Sequence, residues 1–519
     1  MPIDTPDWVR DAIFYQVFPD RFASSERVAK PGPLEPWDAP PTLHGFKGGD
    51  LLGVVERLPY LEDLGVNALY LTPIFASASN HRYHTYDYMT VDPLLGGDAA
   101  LRELLDEAHA RGMRVVLDGV FNHTGRGFWA FHHVLETGAS SPYRHWFHFD
   151  QDALDENRLV RAYPGADARV GVALDDPWIG EASPSSDGTA SRRHLGYAAW
   201  WDLPALPKLN TDEPAVREYL FGVAEHWLRF GIDGWRLDVP AEIRDEAFWQ
   251  EFRRRCRAIR PDAYLVGEVW HVAPEWLAGD RFDALMNYPL AEAILSFAGG
   301  PSIDRELVGR HHEFGPNVAP TDGPGFANRL VELDQAYDEA VVAVQLNVLG
   351  SHDAPRMRSV LGGDLSGVRL AVLLQATLPG APCVYYGDEI GLEGGIDPDS
   401  RRAFPWDEGR WNGGLRALVR HVLRLRAAEP ALRRGSFTIR AAEATAVAYE
   451  RRLAEQRLIV AVNAGSSAVR LRLDLDGTSQ ERMEPVVATG DTDGPRIETD
   501  GDITILKVPA RAGFVLRAG

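Results

Sequence analysis

DAALRELLDEAHARGMRVVLDGVFNH, residues 98–123, is the stretch whose reading decides the fold. Asp98–Arg111 has the apolar spacing of an amphipathic helix, and Gly112 ends it. Met113–Leu117 is a short, mostly apolar run that reads as a strand. It runs straight into the polar cluster Asp118-Gly-Val-Phe-Asn122-His123. Helix, turn, strand, then a polar strand end is one unit of a β/α alternation.

The unit recurs on both sides. Upstream, Ala12–Phe18 reads as a strand, and Asp50–Leu64 as a helix with Leu51, Val54, Val55, Leu58, Leu61 and Leu64 on one stripe. Val66–Leu71 is the next strand. A long interruption follows His123 and lasts to about Leu209. Thr211 then reads as the cap of a helix whose stripe is Val216, Leu220, Val223 and Trp227. Ile232–Leu237, Tyr264–Val269, Leu285–Tyr288, Val341–Leu349 and Cys383–Tyr386 are strand candidates, with helices at Val368–Leu378 and Gly414–Ala428. Eight strands, each followed by a helix or by a segment long enough to hold one, predict an α/β fold: a (β/α)8 TIM barrel with an inserted domain after strand 3. Beyond Gly435 the pattern changes to short alternating runs (Thr445–Tyr449, Leu458–Val462, Val469–Leu475, Ile503–Val508) between turn residues. These predict a C-terminal antiparallel β domain. The expected organisation is barrel over 1–122 and 211–435, insert over 123–210, and a β-sandwich over 436–519.

Composition narrows the function. The 519 residues hold 54 Lys+Arg against 75 Asp+Glu, a formal charge of −21. That disfavours nucleic acid and anionic membrane surfaces as partners and costs a neutral substrate nothing. No apolar run approaches the ~20 residues of a membrane span. The first ten residues lack the basic and apolar regions of a signal peptide, so the expected compartment is cytoplasmic. Two cysteines make neither a disulfide framework nor a metal cluster.

The chemistry sits at the strand ends, where a barrel builds its active site. Strand 3 ends in Asp118…His123, strand 4 in Arg236-Leu-Asp238, strand 5 in Glu268-Val-Trp270, and strand 7 in His352-Asp353. Arg236 and Asp238, two apart on a strand, face the same side. A guanidinium there is expected to keep Asp238 ionised, as a nucleophile requires. Glu268 has no cation beside it in sequence and has Val269 and Trp270 as neighbours, which favours the protonated form of a general acid. Asp353 would raise its pKa further. Nucleophile, acid and auxiliary carboxylate describe a retaining glycosidase, whose two main carboxyls stand roughly 5–5.5 Å apart.

DGVFNH (118–123), GWRLDVP (234–240), GEVW (267–270) and GSHD (350–353) resemble, in order and spacing, the four principal conserved stretches of glycoside hydrolase family 13, the α-amylase family. GVNALYLTPIF (65–75) and YYGDEIG (385–391) resemble its second and eighth strands. The resemblance implies Asp238 as nucleophile, Glu268 as acid/base and Asp353 as a sugar-binding carboxylate that assists ring distortion. It implies His123, Arg236 and His352 as members of the cleavage subsite, and Asp118 as a support near Arg236. LPKLN (206–210), PDWVRDAIFYQVFPDRF (6–22), SNHRYHTYDY (79–88) and DPDSRRAFPW (397–406) look like the neopullulanase, cyclomaltodextrinase and maltogenic amylase group. In that group Asp397 and Arg401 match positions that bind the second sugar on the non-reducing side, and Trp270 an aromatic on the leaving-group side. The plain alternative for Asp397 and Arg401 is a loop salt bridge.

Two departures stand out. The group usually carries an N-terminal β domain, whereas here the barrel pattern begins almost at once, so the oligomeric state and the preference for small cyclic substrates stay open. His84 stands where the group usually has Asp. A His-x-Tyr pair, His84 and Tyr86, looks like ordinary α-amylases, in which the tyrosine stacks on the sugar; Tyr86 is the candidate platform. The insert's Trp146, Phe147, Tyr197, Trp200 and Trp201 read equally well as sugar subsites or as that domain's own core. His132, His133, His145 and His148 match no zinc spacing. Asn122 matches a calcium ligand of many α-amylases, but Val239-Pro-Ala-Glu242 replaces the histidine found after the nucleophile. No essential cofactor is therefore expected, with Ca²⁺ the one candidate.

These features predict an α-1,4-glucan hydrolase acting on maltooligosaccharides, cyclodextrins, pullulan and starch, with some transglycosylation. The alternatives are an exo-acting α-glucosidase with a blocked pocket, a non-catalytic relative such as a transporter-associated subunit, and a barrel of unrelated chemistry. Retention of Asp238, Glu268 and Asp353 argues against the second alternative. The third would need clustered metal ligands or a phosphate loop, and neither is present.

Overall fold

The computed structural model describes residues 3–156, 158–159, 188–473, 483–490, 494–500 and 503–518. Eight short parallel strands build its centre: β1 (Phe14–Val17), β2 (Ala68–Leu71), β3 (Arg114–Gly119), β4 (Gly234–Leu237), β5 (Tyr264–Gly267), β6 (Ala284–Leu285), β7 (Leu346–Val348) and β8 (Ala381–Tyr385). Their order is β6-β5-β4-β3-β2-β1-β8-β7, and a parallel bridge from Met286 to Leu346 joins the two ends into a barrel. Every residue of β1, β2, β4 and β5 is buried, as strands between a filled interior and a helix layer must be.

Helices α1 (Leu51–Leu64), α2 (Gly97–Ala110), α3 (Pro214–Phe230), α4 (Glu246–Ile259), α5 (Tyr288–Gly299), α6 (Gly323–Gln335), α7 (Leu365–Thr377) and α8 (Gly413–Ala428) surround it. The start of α1 is capped by Asp50, whose carboxylate accepts the Gly53 N–H at 2.7 Å. It ends at Gly65, whose φ of 97° needs a residue without a Cβ.

Three local expectations are corrected. Thr211 does not cap α3: Pro214 fixes the first turn and the Glu213 carboxylate accepts the Ala215 N–H. Val341 is not in a strand. Asp338 caps a helical turn over Glu339–Val342, which leaves β7 only three residues. Tyr288 opens α5 rather than closing β6, because Asn287 accepts the Leu290 N–H and Pro289 favours a first helical turn. Between β5 and β6 the chain forms one 3-10 turn, Pro274–Leu277, in place of a full helix.

The segment after β3 contains a helix, Trp129–Thr137, packed on its own aromatics. Phe131 meets Phe147 and Tyr197 with ring centroids 4.9 Å away in each case, and Trp146 lies 5.6 Å from Tyr219 of α3. Bridges His123–Lys208 and Phe147–Leu209 pin its two ends together. Residues 157 and 160–187 of this predicted insert lie outside the described residues.

The C-terminal strands are β9 (Ser436–Glu443), β10 (Ala446–Leu453), β11 (Gln456–Asn463), β12 (Val469–Leu473), β13 (Met483–Ala488), β14 (Arg496–Asp500), β15 (Ile503–Val508) and β16 (Ala512–Ala518). They form two antiparallel sheets, β9-β10-β11-β16-β13 and β12-β15-β14. Along β11 the period of two is explicit: Leu458, Val460 and Val462 join the barrel's core, while Ile459 and Ala461 join the cluster between the sheets. Among the described residues no helix is long and apolar enough to cross a membrane.

Candidate active site

Parallel register assembles the site. Asp118 on β3 and Arg236 on β4 are direct Cα partners, although 118 positions apart. Asp238 follows the end of β4 and Glu268 follows the end of β5, whose backbone N–H bonds Leu237 O. Four acidic or basic side chains thereby converge on the C-terminal rim.

Arg236 is the hub. Its Nη1 donates to Asp118 Oδ1 (2.9 Å), Asp118 Oδ2 (3.0 Å) and Asp238 Oδ1 (3.0 Å), and its Nη2 lies 2.9 Å from Glu268 Oε2. The Nη2 contact is an ion pair without hydrogen-bond alignment, so Glu268 is the less firmly held carboxyl. Glu268 has no cation beside it in sequence, and the fold supplies one from the neighbouring strand, which spacing within one strand does not reveal. Glu268 also accepts the Val239 N–H at 3.1 Å and the Trp270 indole N–H at 3.3 Å. Val239, a β-branched residue, sits at φ 35° in the left-handed region, a strain of about 1–3 kcal/mol held beside the carboxylates.

Charge in this cluster is set by burial and by number. Burial raises the carboxyl of Asp238 well above the usual range; Arg236 opposes this, and the charges of Glu268, Asp118 and Asp353 add to it. Glu268 is raised by burial and by Asp353, again against Arg236. Asp118 is raised by burial against Arg236, Tyr70 and Tyr83. The guanidinium expected to keep Asp238 ionised is shared among three buried carboxyls, whose protons are therefore coupled. Asp353 differs. Burial would raise it, but His352 and Arg401 bring it below the usual value. Among the described residues, Asp238 Oδ2 takes no hydrogen bond.

His352 beside Asp353 and His123 after β3 are neutral rings, each brought down to about 3, chiefly by burial. His352 Nε2 is 3.1 Å from Asp353 Oδ2, and its Nδ1 meets Gln16 Nε2 at 2.9 Å. His123 stacks on Trp200 of the insert, with centroids 4.9 Å apart and planes at 6°. Arg401 joins Asp353 (3.2 Å) and Asp397 (3.0 Å), and its Nε donates to His352 O at 2.8 Å. Asp397, on a loop, does form a salt bridge with Arg401, and Arg401 ties that loop to Asp353 and the His352 carbonyl at the rim. Trp270 lies flat on Tyr288, at 3.6 Å and 8°, so one face of the indole is already covered.

Tyr83 is the aromatic of the HRYHTYDY stretch that reaches the cluster. Its hydroxyl donates to Asp118 Oδ2 at 2.9 Å and meets His352 Nε2, and its ring stacks on His352 at 5.3 Å and 5°. Tyr86, the expected platform, lies one strand turn further on, with its ring over Gly127. His84 is half-buried against His81, with ring centroids 5.0 Å apart, and burial lowers it to about 4. The sequence held the signal. The His-x-Tyr pattern occurs twice in HRYHTYDY, and the first copy, His81 and Tyr83, is the one at the rim. Spacing gave no sign of Tyr70, whose hydroxyl donates to Asp118 at 2.7 Å, or of the Lys208–Glu242 pair at 3.1 Å. Among the insert's aromatics, Trp146, Phe147 and Tyr197 are core. Trp201 stays 36% exposed against His312. Among the described residues, no three His, Cys, Asp or Glu side chains cluster as a metal would need.

Residues 16–420 match the alpha-amylase catalytic domain family. The chain belongs to the α-amylase family. It is a glycoside hydrolase of that family, similar at 38% identity to a cyclomaltodextrinase of Geobacillus thermopakistaniensis (strain MAS1). That match covers 517 residues, 99% of this chain and 78% of the relative. Among solved structures it is similar to Ttha1563 from Thermus thermophilus (TM-score 0.85, 44% identity, 99% of this chain and 100% of that one). It is also similar to a debranching enzyme from Nostoc punctiforme in its native form (TM-score 0.84, 43% identity, 100% of both chains).

Proposed function

We infer that this family member hydrolyses α-1,4-glucosidic bonds of maltooligosaccharides with retention of configuration. The observation that carries the reading is the sharing of one guanidinium, Arg236, by Asp238 and Glu268, with an unpartnered oxygen left on Asp238. Glu268 gives its proton to the glycosidic oxygen as that bond breaks, and Asp238 Oδ2 bonds to the anomeric carbon. Glu268, now ionised, takes a proton from water, whose oxygen displaces Asp238. A sugar hydroxyl in place of water gives transglycosylation. Asp353, held ionised by Arg401, accepts sugar hydroxyls, and Tyr83 supplies the adjacent aromatic face. Asp397 and Arg401 extend the site toward the non-reducing side. The buried cluster retains a proton, and Glu268 must hold it for Asp238 to attack as the anion, while Asp353 stays ionised.

Similarity to proteins named cyclomaltodextrinase and debranching enzyme supports cyclodextrins and branched glucans as substrates of this chain beside linear ones. On this reading 1–122 and 211–435 are barrel, 123–210 is the cleft-walling insert and 436–519 is a separate β unit. The test is proton NMR of the first product from β-cyclodextrin and from soluble starch. An α-anomer appearing first is expected, and a β-anomer would refute the covalent route. Faster opening of cyclodextrin assigns the cyclomaltodextrinase preference. Turnover of maltose alone assigns an exo-acting α-glucosidase instead.

A further inference from the structure

The fifth strand's loop and helices α5 and α6 enclose a second cavity of about 540 Å³, well within the ~300–1,000 Å³ of small-molecule sites. Trp270 stands between it and the carboxylates, with its indole N–H on Glu268. Glu292 of α5, only 6% exposed, lines the cavity. Asn317 Nδ2 donates to its Oε1 at 3.0 Å, and among the described residues its Oε2 receives no hydrogen bond. Burial lifts this carboxyl to about 7, against Asn317 and Arg329. The reaction at Asp238 and Glu268 makes no use of it. Arg329, Ser296 and Thr321 complete the polar wall, while Ala293 and Phe326 supply apolar surface. One acid, one base, hydroxyls and an amide over an apolar floor suit a neutral ligand rich in O–H and C–H groups better than an ion.

We propose that this cavity is an accessory α-glucosyl subsite that holds sugar units of the leaving or acceptor chain beyond Trp270, with Glu292 and Asn317 as its hydrogen-bonding pair. The proposal rests on Glu268 being the acid, because a leaving chain departs on the acid's side. A maltooligosaccharide crossing Glu268 and the Trp270 edge enters the cavity; a nitrophenyl leaving group is too short to do so. An acceptor held there would also favour transfer over hydrolysis.

The test compares kcat/KM for maltohexaose with kcat/KM for p-nitrophenyl α-maltotrioside, in the wild type and two variants. Ala319→Trp plugs the cavity from a half-exposed wall position, and Glu292→Gln keeps the shape but weakens the acceptor. The maltohexaose-to-aryl ratio should fall about tenfold with the plug and less with Glu292→Gln, the scale of a lost subsite contact. An unchanged ratio in both variants overturns the subsite, including the case in which both rates fall together through a general disturbance. Soaking maltohexaose into crystals of Asp238→Asn should place sugar density against Glu292, and density confined to the main cleft counts against the proposal. A wild type that cleaves neither substrate removes the hydrolase reading and the subsite with it. A wild type that cleaves both, with an unchanged ratio, removes the subsite alone.

Discussion

Two aspartates bracket the same four-residue strand. Asp233 precedes β4 at the bottom of the barrel and Asp238 follows it at the top. Both are buried and both touch arginine, yet their acidities move in opposite directions. Asp233 is surrounded by donors: Arg114, Arg260, His109 and the Val115 N–H, each at 2.8 Å. Burial would raise it, but these bonds bring it below the usual carboxylate value. Asp238 is raised instead, first by burial and then by neighbouring carboxyls, since three carboxyls divide one guanidinium. Asp283, between β5 and β6, repeats the lower arrangement with Arg253, Arg257 and the Leu265 N–H, all within 2.8 Å. Donors in excess make a carboxylate a structural pin. Carboxylates in excess leave proton affinity and an unpartnered oxygen for chemistry. The bottom of this barrel is stabilised while the top is held under strain.

The sharpest way to break the comparison is to neutralise the top. Asp238→Asn should lower turnover at least about 10⁴-fold. It should leave the thermal midpoint unchanged or raised, since it removes a buried carboxyl that resists ionising. Near-wild-type rates on an aryl α-maltoside would eliminate Asp238 as the nucleophile. Asp353→Asn comes next, with a loss of about 10²–10³-fold and a change in the pH profile. Asp353's negative charge helps to keep the proton on Glu268. Without it the proton leaves at lower pH, so the alkaline limb of the residual activity should move down. A limb that stays in place means that the essential proton is held elsewhere.

The lower aspartate should show the converse. Asp233→Asn strips charge from a side chain with no exposure and should cost about 3 kcal/mol of stability. The kcat of the folded fraction should stay within about twofold. Because the folded-state pKa is depressed, Asp233's contribution is fully present above the unfolded value of about 3.9. It is lost as pH falls through the folded value. The gap between wild type and variant in urea melts should therefore be widest near neutral pH and close in acid. An equal gap at all pH values would mean that the hydrogen bonds matter and the charge does not.

Much of this was legible before any coordinates. The eight-strand alternation and the strand-end carboxylates are local signals, carried by periodicity and by residues two or three apart. What lay hidden is contact between strands. The Asp118–Arg236 register, the Glu268–Arg236 ion pair and the hydroxyl of Tyr70 on Asp118 join residues tens to more than a hundred positions apart. The errors at Thr211 and Val341 have a different origin. A threonine ahead of an apolar stripe and a β-branched pair are good local bets, and a proline three residues on and an aspartate cap overrode them. A sequence shows Asp238 one arginine two residues away; only the fold brings three further carboxyls to it.

The smallest effect separates the two tyrosines of HRYHTYDY, and it sharpens the account of the upper rim. Tyr83→Phe keeps the ring on His352 but removes the hydroxyl from Asp118. Asp118 is then less stabilised as the anion and Arg236 is drawn more fully toward it. Less of the guanidinium's charge is left for Asp238 and Glu268. A fall in kcat of about tenfold follows, with KM changed less, since a hydrogen bond to a charged group is worth about 1.5–3 kcal/mol and part of it is recovered by rearrangement. Tyr86→Phe, with the ring seated over Gly127, should stay within about twofold on both constants. Steady-state kinetics on maltotriose distinguish the cases. If Tyr86→Phe proves the more damaging variant, the sugar platform lies on the second His-x-Tyr copy. The Tyr83 hydroxyl would then serve only to satisfy Asp118, much as the donors around Asp233 do at the other end of the strand.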